Sequence, residues 1–378
     1  MAAARRVIVK IGTAVLTDGA GRFDPERHGA LCEELAAAAS TRQIVVVTSG
    51  AIALGVERLG FPGRPTDLPL KQAAAAVGQC RLMQRYEEEL ARRQRTVAQI
   101  LLTHSDVSER SRYLNARQTV AALLAAKVIP IVNENDTVAV EEIQFGDNDA
   151  LASLMVGLCD ADLLILLSDV DGLFSRDPRL PGDEPATLIP EVAEITPALL
   201  QTATASRSGL GSGGMGAKLR AAQRASDVGA PTVIAPGKRR GALTSILAGE
   251  PIGTVFDTPE TGARLTLRKR WIGHALAPHG LLHVDAGAAT ALKTRGSSLL
   301  SSGIEQVDGA FQRGSLIDIC DPTGAIFARG LSGYDADALR KIQGAQSASI
   351  EGILGYKYLD EIVHRDDLVL ISSDGSTS

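Results

Sequence analysis

The sequence has few cysteines, a small net charge and no long apolar run. Its 378 residues carry a formal charge of −5, which argues against a chain that binds nucleic acid over its whole surface. No stretch approaches the ~18 apolar residues of a membrane span, and the opening MAAARR lacks the hydrophobic core of a signal peptide. We therefore expect a cytoplasmic protein.

The cysteines are far apart in the chain and form no C-x-x-C pair, which argues against a metal site. Each lies in an apolar segment, so we predict that all of them are reduced core residues, as in cytosolic proteins. They are Cys32, Cys80, Cys159 and Cys320. No internal repeat or low-complexity tract is visible either.

The length of the chain exceeds the ~250 to 300 residues at which a single core usually splits into domains. After Phe256 a basic segment follows, and beyond Trp271 short strand-like pieces alternate with glycines. Such spacing is typical of a compact, mostly β module. We predict a large domain over 1–258, a linker over 259–272 and a small, mostly β domain over 273–370.

The larger domain has an α/β pattern, because short runs rich in Val and Ile alternate with alanine-rich helical segments. Continuous apolar strands between helices predict a mainly parallel sheet covered on both faces, a three-layer α/β/α sandwich. The predicted strands lie at 5–12, 43–50, 97–103, 128–136, 162–169 and 231–237, and the predicted helices at 25–40, 69–92, 111–126, 148–157 and 217–228.

Polar residues and glycines stand where several of these strands end. Ligands of such sheets bind at the carboxyl ends of the strands. The segments are Lys10–Thr13, Thr48–Ala51, Asn133–Asp136 and Ser168–Asp169. They predict a binding site at this edge of the sheet.

The segment SGLGSGGMGAKLRAA, which begins at Ser208, half-matches two phosphate-binding motifs. Its G-x-G-x-x-G does not follow a strand, and Ala217 stands where the triphosphate loop has lysine. Successive glycine N–H groups can still bind an anion at the start of a helix. Lys218 in the first turn would oppose the helix dipole unless an anion lies beside it. A glycine-rich surface loop is the alternative.

The other strand ends also allow two interpretations. Lys10 in an apolar strand needs an opposite charge if it is buried, or it reaches the surface. Ser49 could bind a carboxylate or a phosphate, or it could simply cap the next helix. The acidic and amide side chains of 133–139 and 145–153 suit a substrate that carries both an ammonium and a carboxylate group.

Together these motifs resemble the glutamate 5-kinase family of the amino acid kinase superfamily, in which a C-terminal PUA domain follows the kinase domain. The resemblance covers nearly the whole chain. It rests on VKIGTAVLT, VVTSGAIALG, YLNARQT, PIVNENDTVA, GDNDALAS, LLSDVDGLF and GLGSGGMGAKLRAA, and in the C-terminal part on RWI, GSSLL, DALRKI, ILGY and VHRDD.

The resemblance implies transfer of the γ-phosphoryl group of ATP to the γ-carboxylate of L-glutamate, the first step of proline biosynthesis. It implies that Lys10 and Lys218 contact the phosphoryl group and that Asp149 holds both lysines. Glutamate would bind at Ser49, Asp136 and Asn148. ATP would bind at Lys10, Ser168, Asp169, Ser212, Gly213, Gly214, Met215, Gly216, Ala217 and Lys218, with Mg²⁺ on its phosphates and no protein ligand of the metal named.

The sequence departs slightly from the family, which often has threonine at the positions of Ser212 and Ala217. The resemblance also implies inhibition by proline, a homo-oligomer (dimer or tetramer), γ-glutamyl phosphate reductase as a partner and RNA as a ligand of the PUA domain. Two alternatives stay open. One is another carboxylate kinase of the same fold, acting on N-acetylglutamate or aspartate, and the other is an RNA-binding protein built around the PUA domain.

Overall fold

A computed structural model describes residues 1–103, 106–107, 109–139, 148–178, 185–205, 214–258 and 278–371. The described residues divide into two units, with 1–107 and 115–258 in the first and 109–114 and 278–371 in the second. The predicted linker 259–272 lies outside the described residues. The domain boundaries at 258 and 273 therefore stay a prediction.

The first unit is built on a large twisted sheet. Its strands are β1 (Arg6–Ile11), β2 (Gln43–Thr48), β3 (Val97–Leu102), β4 (Ile129–Glu134), β5 (Leu163–Ser168), β8 (Glu191–Val192), β9 (Thr232–Pro236) and β10 (Thr254–Phe256), while β6 (Leu173–Phe174) and β7 (Leu188–Ile189) form a separate pair. The strand order is β3-β4-β2-β1-β5-β9-β10-β8. The first six strands in this order, β3 through β9, run parallel to their neighbours, and β10 runs antiparallel to β9. The mainly parallel sheet is confirmed.

Helices cover both faces of this sheet. They are α1 (Thr13–Leu16), α2 (Pro25–Ala38), α3 (Ala51–Leu59), α4 (Leu68–Ala91), α5 (Arg110–Ala125), α6 (Asn148–Cys159), α7 (Pro197–Ala205), α8 (Met215–Asp227) and α9 (Ala242–Ala248). Each helix predicted above starts and ends within two residues of an observed one.

The strand alternation separates the two faces. Val7, Val9 and Ile11 of β1 pack into a core shared with α1, α2, α4 and α9. The intervening residues, among them Lys10, point to the opposite face, where α6 and α8 contact β1, β5 and β9. The three-layer α/β/α sandwich is confirmed, and Lys10 faces the α6–α8 layer.

The second unit is mostly β, as predicted, and has its own apolar core. Its strands are β11 (Gly280–Val284), β12 (Leu299–Leu300), β13 (Ile304–Gly309), β14 (Leu316–Cys320), β15 (Ile326–Leu331), β16 (Glu361–Val363) and β17 (Leu368–Leu370), and its helices are α10 (Ala286–Arg295), α11 (Ala336–Ile342) and α12 (Ile350–Leu354). Five strands form a sheet in the order β13-β11-β14-β15-β17, and β12 pairs with β16.

All four cysteines are free, but one of them is not a core residue. Cys32, Cys159 and Cys320 are buried, whereas Cys80 is exposed, so its predicted burial was wrong. Cys80 lies on α4 between the buried Gly78 and Leu82, and the helical turn directs it away from their face. Among the described helices, none is both long and apolar enough to cross a membrane.

Two glycines let α3 and α4 cross at very short range. A Cβ atom on Gly78 would lie 1.7 Å from the carbonyl oxygen of Ala51, and one on Gly55 would lie 1.8 Å from that of Ala74. Only glycine fits at such backbone contacts. Because Ala51 is the first residue of α3, the crossing fixes the start of that helix against α4.

We predict that Gly78→Ala lowers the free energy of unfolding by about 3 kcal/mol, because the new methyl group must push the two backbones apart. The matched control is Gly157→Ala in α6, where the nearest atom to a new Cβ is Val228 Cγ1 at 4.0 Å. Alanine there is expected to stabilise the helix by up to about 1 kcal/mol. Urea unfolding followed by circular dichroism measures both; equal effects of the two substitutions contradict the tight crossing.

Candidate active site

The polar strand ends predicted from the sequence lie at one edge of the sheet. β1, β2, β4 and β5 are parallel and therefore end on the same side. Lys10 pairs with Val47 of β2 and Leu166 of β5, so it lies at the middle of this edge. Asn148 at the start of α6 and Lys218 in the first turn of α8 lie at the same edge of the sheet.

Three charged side chains form a buried cluster at the centre of the edge. Asp149 binds the ammonium group of Lys10 through Oδ1, and its Oδ2 lies 3.0 Å from Nζ of Lys218. Lys10 and Lys218 are only 5% and 6% exposed, and Asp149 is fully buried. Three separate elements, β1, α6 and α8, thus bring their charges to one point.

The cluster answers two questions that the sequence left open. Lys10 does not reach for the surface but is buried against an opposite charge. The anion that Lys218 needs in the first turn of α8 is also Asp149. Burial alone would raise the pKa of Asp149, but the two ammonium groups hold that pKa below its ordinary value, so the carboxylate stays ionised.

The turn between β2 and α3 presents Ser49. Gly50 adopts a left-handed conformation, with φ of 102°, and is itself the N-cap residue of α3. No side chain caps this helix, so the interpretation of Ser49 as a plain N-cap is wrong. Instead, the Oγ atom of Ser49 accepts a hydrogen bond of 2.7 Å from Nδ2 of Asn148.

Asn148 joins the ends of β2 and β4 through its amide. Besides Ser49, its Nδ2 donates to the carbonyl oxygen of Thr48 at 2.8 Å and to Oδ1 of Asn133 at 3.1 Å. Asn133 in turn donates from Nδ2 to Oε1 of Gln79 on α4 at 2.9 Å. We call Asn148, Asn133 and Gln79 the amide chain. It occupies the β2–β4 side of the edge, next to the charged cluster.

α4 supports this side of the site in two further ways. The buried Tyr86 hydroxyl lies 2.8 Å from Oγ1 of Thr48, immediately before Ser49. Gln72 donates to the carbonyl oxygen of Ala139, beyond the end of β4. Neither Gln79 nor Tyr86 was predicted from the sequence. Tyr86 had a signal, since it is a tyrosine on the buried face of a long helix, whereas a glutamine within a helix has none.

Asp136 follows β4 by two residues and is half-buried. Burial raises its pKa, while the positive charge of Arg64 lowers it. A cationic group bound next to Asp136 would favour its charged form in the same way. Within the described residues the structure gives no hydrogen bond that joins Asp136 to the amide chain, so its predicted role in substrate binding stays a prediction.

The nucleotide segments predicted from the sequence are described only in part. Ser212 and Gly213 lie outside the described residues. Gly214 is the N-cap residue of α8, and Met215, Gly216, Ala217 and Lys218 form its first turn. Ser168 is buried at the end of β5, donates to Asp169 at 3.1 Å, and accepts through its carbonyl oxygen from the backbone N–H of Gly237 at 2.6 Å. Asp169 is exposed.

A metal site built from protein side chains is not found among the described residues. They contain no group of three or more His, Cys, Asp or Glu side chains that could hold an ion. Mg²⁺ commonly keeps several waters and binds through substrate phosphates rather than in an all-protein cage.

Comparison with known proteins gives first the class of the chain. The profile of the amino acid kinase family matches residues 5–236, and that of the PUA domain matches 280–354. The first match covers more than half of the chain and includes every residue of the charged cluster. The protein is therefore an amino acid kinase with a PUA domain.

Full-length relatives narrow this class. The chain is 55% identical to the glutamate 5-kinase of Myxococcus xanthus over 97% of both chains. It is 46% identical to that of Pelobacter propionicus (97% of this chain, 98% of the relative) and 48% to that of Moorella thermoacetica (97% of both). The chain belongs to the glutamate 5-kinase family.

A solved UMP kinase from Bacillus anthracis aligns with 68% of this chain and 97% of its own, at 17% identity and a TM-score of 0.46.

We predict that Asp149→Asn lowers the free energy of unfolding by about 3 to 5 kcal/mol, because two buried ammonium groups lose the charge between them. The matched control is Asp160→Asn, which removes a carboxylate that is 49% exposed and pairs with Arg117 at 3.1 Å. An exposed pair contributes less than about 1 kcal/mol. Urea unfolding compares the two; a similar small loss in both would show that the cluster does not stabilise the fold.

Proposed function

We infer that this chain transfers the γ-phosphoryl group of ATP to the γ-carboxylate of L-glutamate and forms γ-glutamyl phosphate, the first step of proline biosynthesis. The observation that carries this function is the buried cluster of Lys10, Asp149 and Lys218 at the carboxyl edge of the sheet. Two ammonium groups held at one point suit the transfer of a highly charged group between two anions.

This reaction requires that the two substrates are positioned, and it needs no general base. A γ-carboxylate is already ionised at neutral pH. One of its oxygens forms a bond to the γ-phosphorus as the bond from that phosphorus to the bridging oxygen breaks, and ADP leaves. ATP and the substrate carboxylate are both anions and repel each other. Lys10 and Lys218 offset this repulsion with their positive charges, and Asp149 keeps both ammonium groups in place.

We propose that the ends of β5 and α8 bind ATP. The N–H groups of Gly214, Met215 and Gly216 at the start of α8 provide donors for phosphate oxygens, together with the partial positive charge of the helix end. The N–H groups of Ala217 and Lys218 already donate to the carbonyl oxygen of Gly214, so Lys218 acts through its ammonium group. Ser168 and Asp169 extend this segment at the neighbouring strand end, and Ser212 and Gly213 are assigned to it from the sequence. Mg²⁺ bound to the phosphates supplies charge neutralisation when it is present.

We propose that glutamate lies on the β2–β4 side, against Ser49, Asn148 and Asp136. Ser49 and Asn148 are hydrogen-bonded to each other, and they border the charged cluster because Asn148 directly precedes Asp149. The carboxylate of Asp136 suits the substrate ammonium group, whose charge offsets the burial of that carboxylate.

The function predicts acyl phosphate from glutamate and not from its close analogues. The protein is incubated with ATP, Mg²⁺ and hydroxylamine, and glutamate, N-acetylglutamate and aspartate are offered in turn. Hydroxamate is expected with glutamate alone. Hydroxamate from N-acetylglutamate or aspartate instead would assign the chain to another carboxylate kinase, and none from any of the three would reject the function.

The same assay tests the site when it is repeated with Lys10→Met and Lys218→Met. Each is expected to lower kcat by at least ~100-fold, because preorganised charge at the transferred group is lost. The matched control is Lys238→Met, an exposed lysine in the loop after β9. Circular dichroism shows whether the variants are folded. Full activity in either cluster variant contradicts the proposed roles.

We propose that proline inhibits the enzyme at a site that overlaps the glutamate site, because proline carries the same ammonium and carboxylate groups. Proline titrated into the hydroxamate assay is expected to raise the apparent KM for glutamate and to leave the KM for ATP unchanged. An unchanged rate at millimolar proline removes this proposal.

Other properties of the family are proposed on the same basis. We propose a cytoplasmic protein, in line with the four free cysteines. We also propose a homo-oligomer, and a monomer in light scattering rejects it.

A labile acyl phosphate favours direct transfer to γ-glutamyl phosphate reductase, and co-purification of the two proteins tests this partner. RNA binding by the PUA domain stays a prediction, tested by a salt-sensitive shift of labelled RNA.

A further inference from the structure

The orientation of each amide in the amide chain follows from backbone groups at the strand ends. The carbonyl oxygen of Thr48 accepts from Asn148, so Nδ2 of Asn148 faces β2. The backbone N–H of Glu134 donates to Oδ1 of Asn133 at 3.0 Å, so that oxygen is fixed as the acceptor. Nδ2 of Asn133 must then point to α4, where it meets Oε1 of Gln79. Gln79 therefore cannot be turned around without losing this bond.

This arrangement leaves one atom at each end of the amide chain. Nε2 of Gln79 and Oδ1 of Asn148 are buried, and no atom of the described residues forms a hydrogen bond with either. Buried polar atoms in native proteins nearly always have a partner. Nε2 of Gln79 is a donor and Oδ1 of Asn148 is an acceptor, so a ligand that carries both an acceptor and a donor group could satisfy the two atoms.

The order of the strands tells which end of the substrate lies here. The charged cluster lies at the ends of β1 and β5. The amide chain lies at the ends of β2 and β4, on the side away from the segments after β5 and before α8 that are proposed to bind ATP. If the proposed function holds, the reacting γ-carboxylate of glutamate lies at the lysines. Its α-carbon, with one carboxylate and one ammonium group, then extends toward the amide chain.

We propose that Gln79 is a specificity-determining residue of the glutamate site and that its Nε2 group donates a hydrogen bond to the α-carboxylate of the substrate. A donor suits a carboxylate and repels an ammonium group, which instead suits Oδ1 of Asn148 and the carboxylate of Asp136. The inference rests on the proposed function, since it concerns the same site.

The position of Gln79 suits this task mechanically. It follows Gly78, whose backbone contact with Ala51 holds α4 against the start of α3. Its Oε1 is fixed by Asn133, so the amide plane cannot rotate freely. The Nε2 donor of Gln79 is thus held by the backbone contact at Gly78 and by the hydrogen bond to Asn133. It is well placed to select among substrates, because little conformational entropy is lost when it binds one.

The test uses Gln79→Glu, which keeps an acceptor for Asn133 and replaces the donor by a second acceptor. Kinetics are measured by hydroxamate formation, with L-glutamate and with L-isoglutamine, in which a carboxamide replaces the α-carboxylate. We expect the KM for glutamate to rise ~10- to 100-fold, the loss typical of a hydrogen bond to a charged group. The kcat and the KM for ATP should stay near the wild-type values.

The second expected result is a change of preference. Isoglutamine can donate from its carboxamide to the new glutamate side chain, so the ratio of kcat/KM for glutamate to that for isoglutamine should fall. Gln79→Met, which can neither donate nor accept, should also lower this ratio, and it serves if the glutamate variant does not fold. The matched control is Gln84→Glu, which adds the same charge at an exposed position of the same helix. It should leave the KM for glutamate and the ratio of the two kcat/KM values unchanged.

Three results overturn the inference. An unchanged KM for glutamate in Gln79→Glu means that the substrate does not use the donor, and a loss confined to Gln79→Met means that Gln79 acts only by holding Asn133. An equal loss with both substrates means that the α-carboxylate is not the group bound. A wild-type protein that forms no hydroxamate rejects the proposed function itself, which this series reveals before any variant is compared.

Discussion

The site depends on one fully buried carboxylate that binds two lysines from different elements. Neither Lys10 nor Lys218 could be buried at this edge without Asp149, because desolvation of an unpaired ammonium group is far too costly. The carboxylate therefore ties β1 to α6 and α8, and at the same time sets the distance between two cations. The three charges sum to +1, so the cluster stays attractive to an anion, as a polyphosphate requires.

Beside this cluster the site is built mainly from neutral groups. Apart from the carboxylate of Asp136, the β2–β4 side consists of amides and hydroxyls that are fixed by each other and by backbone groups. Such groups discriminate by direction, since an N–H and a C=O point at different partners, whereas an ammonium group attracts any anion. The edge thus divides into a charged half suited to chemistry and a neutral half suited to recognition.

Much of this could be predicted from the sequence. The strand and helix pattern, the polar strand ends and the need of Lys10 and Lys218 for a counter-charge all follow from local sequence. That Asp149 meets both lysines required the resemblance to a family, because the three residues are far apart in the chain. Gln79 could not be found, since a glutamine within a helix has no local signal; its role depends on Asn133, which is 54 residues away. The exposed Cys80 was misjudged because the nearby buried residues Gly78 and Leu82 lie on the other side of the helix, while its direct neighbours Gln79 and Arg81 are polar.

The helix that carries Gln79 shows how packing and recognition are linked. Gly78 allows α4 to touch the backbone of α3, and the adjacent Gln79 reaches Asn133 from the same turn. Two turns further on, Tyr86 supports Thr48, whose carbonyl oxygen accepts from Asn148. Any shift of α4 would therefore move both ends of the amide chain together. The geometry of the neutral half is set by the close contact of two helices, and its precision is limited by how rigidly that contact holds.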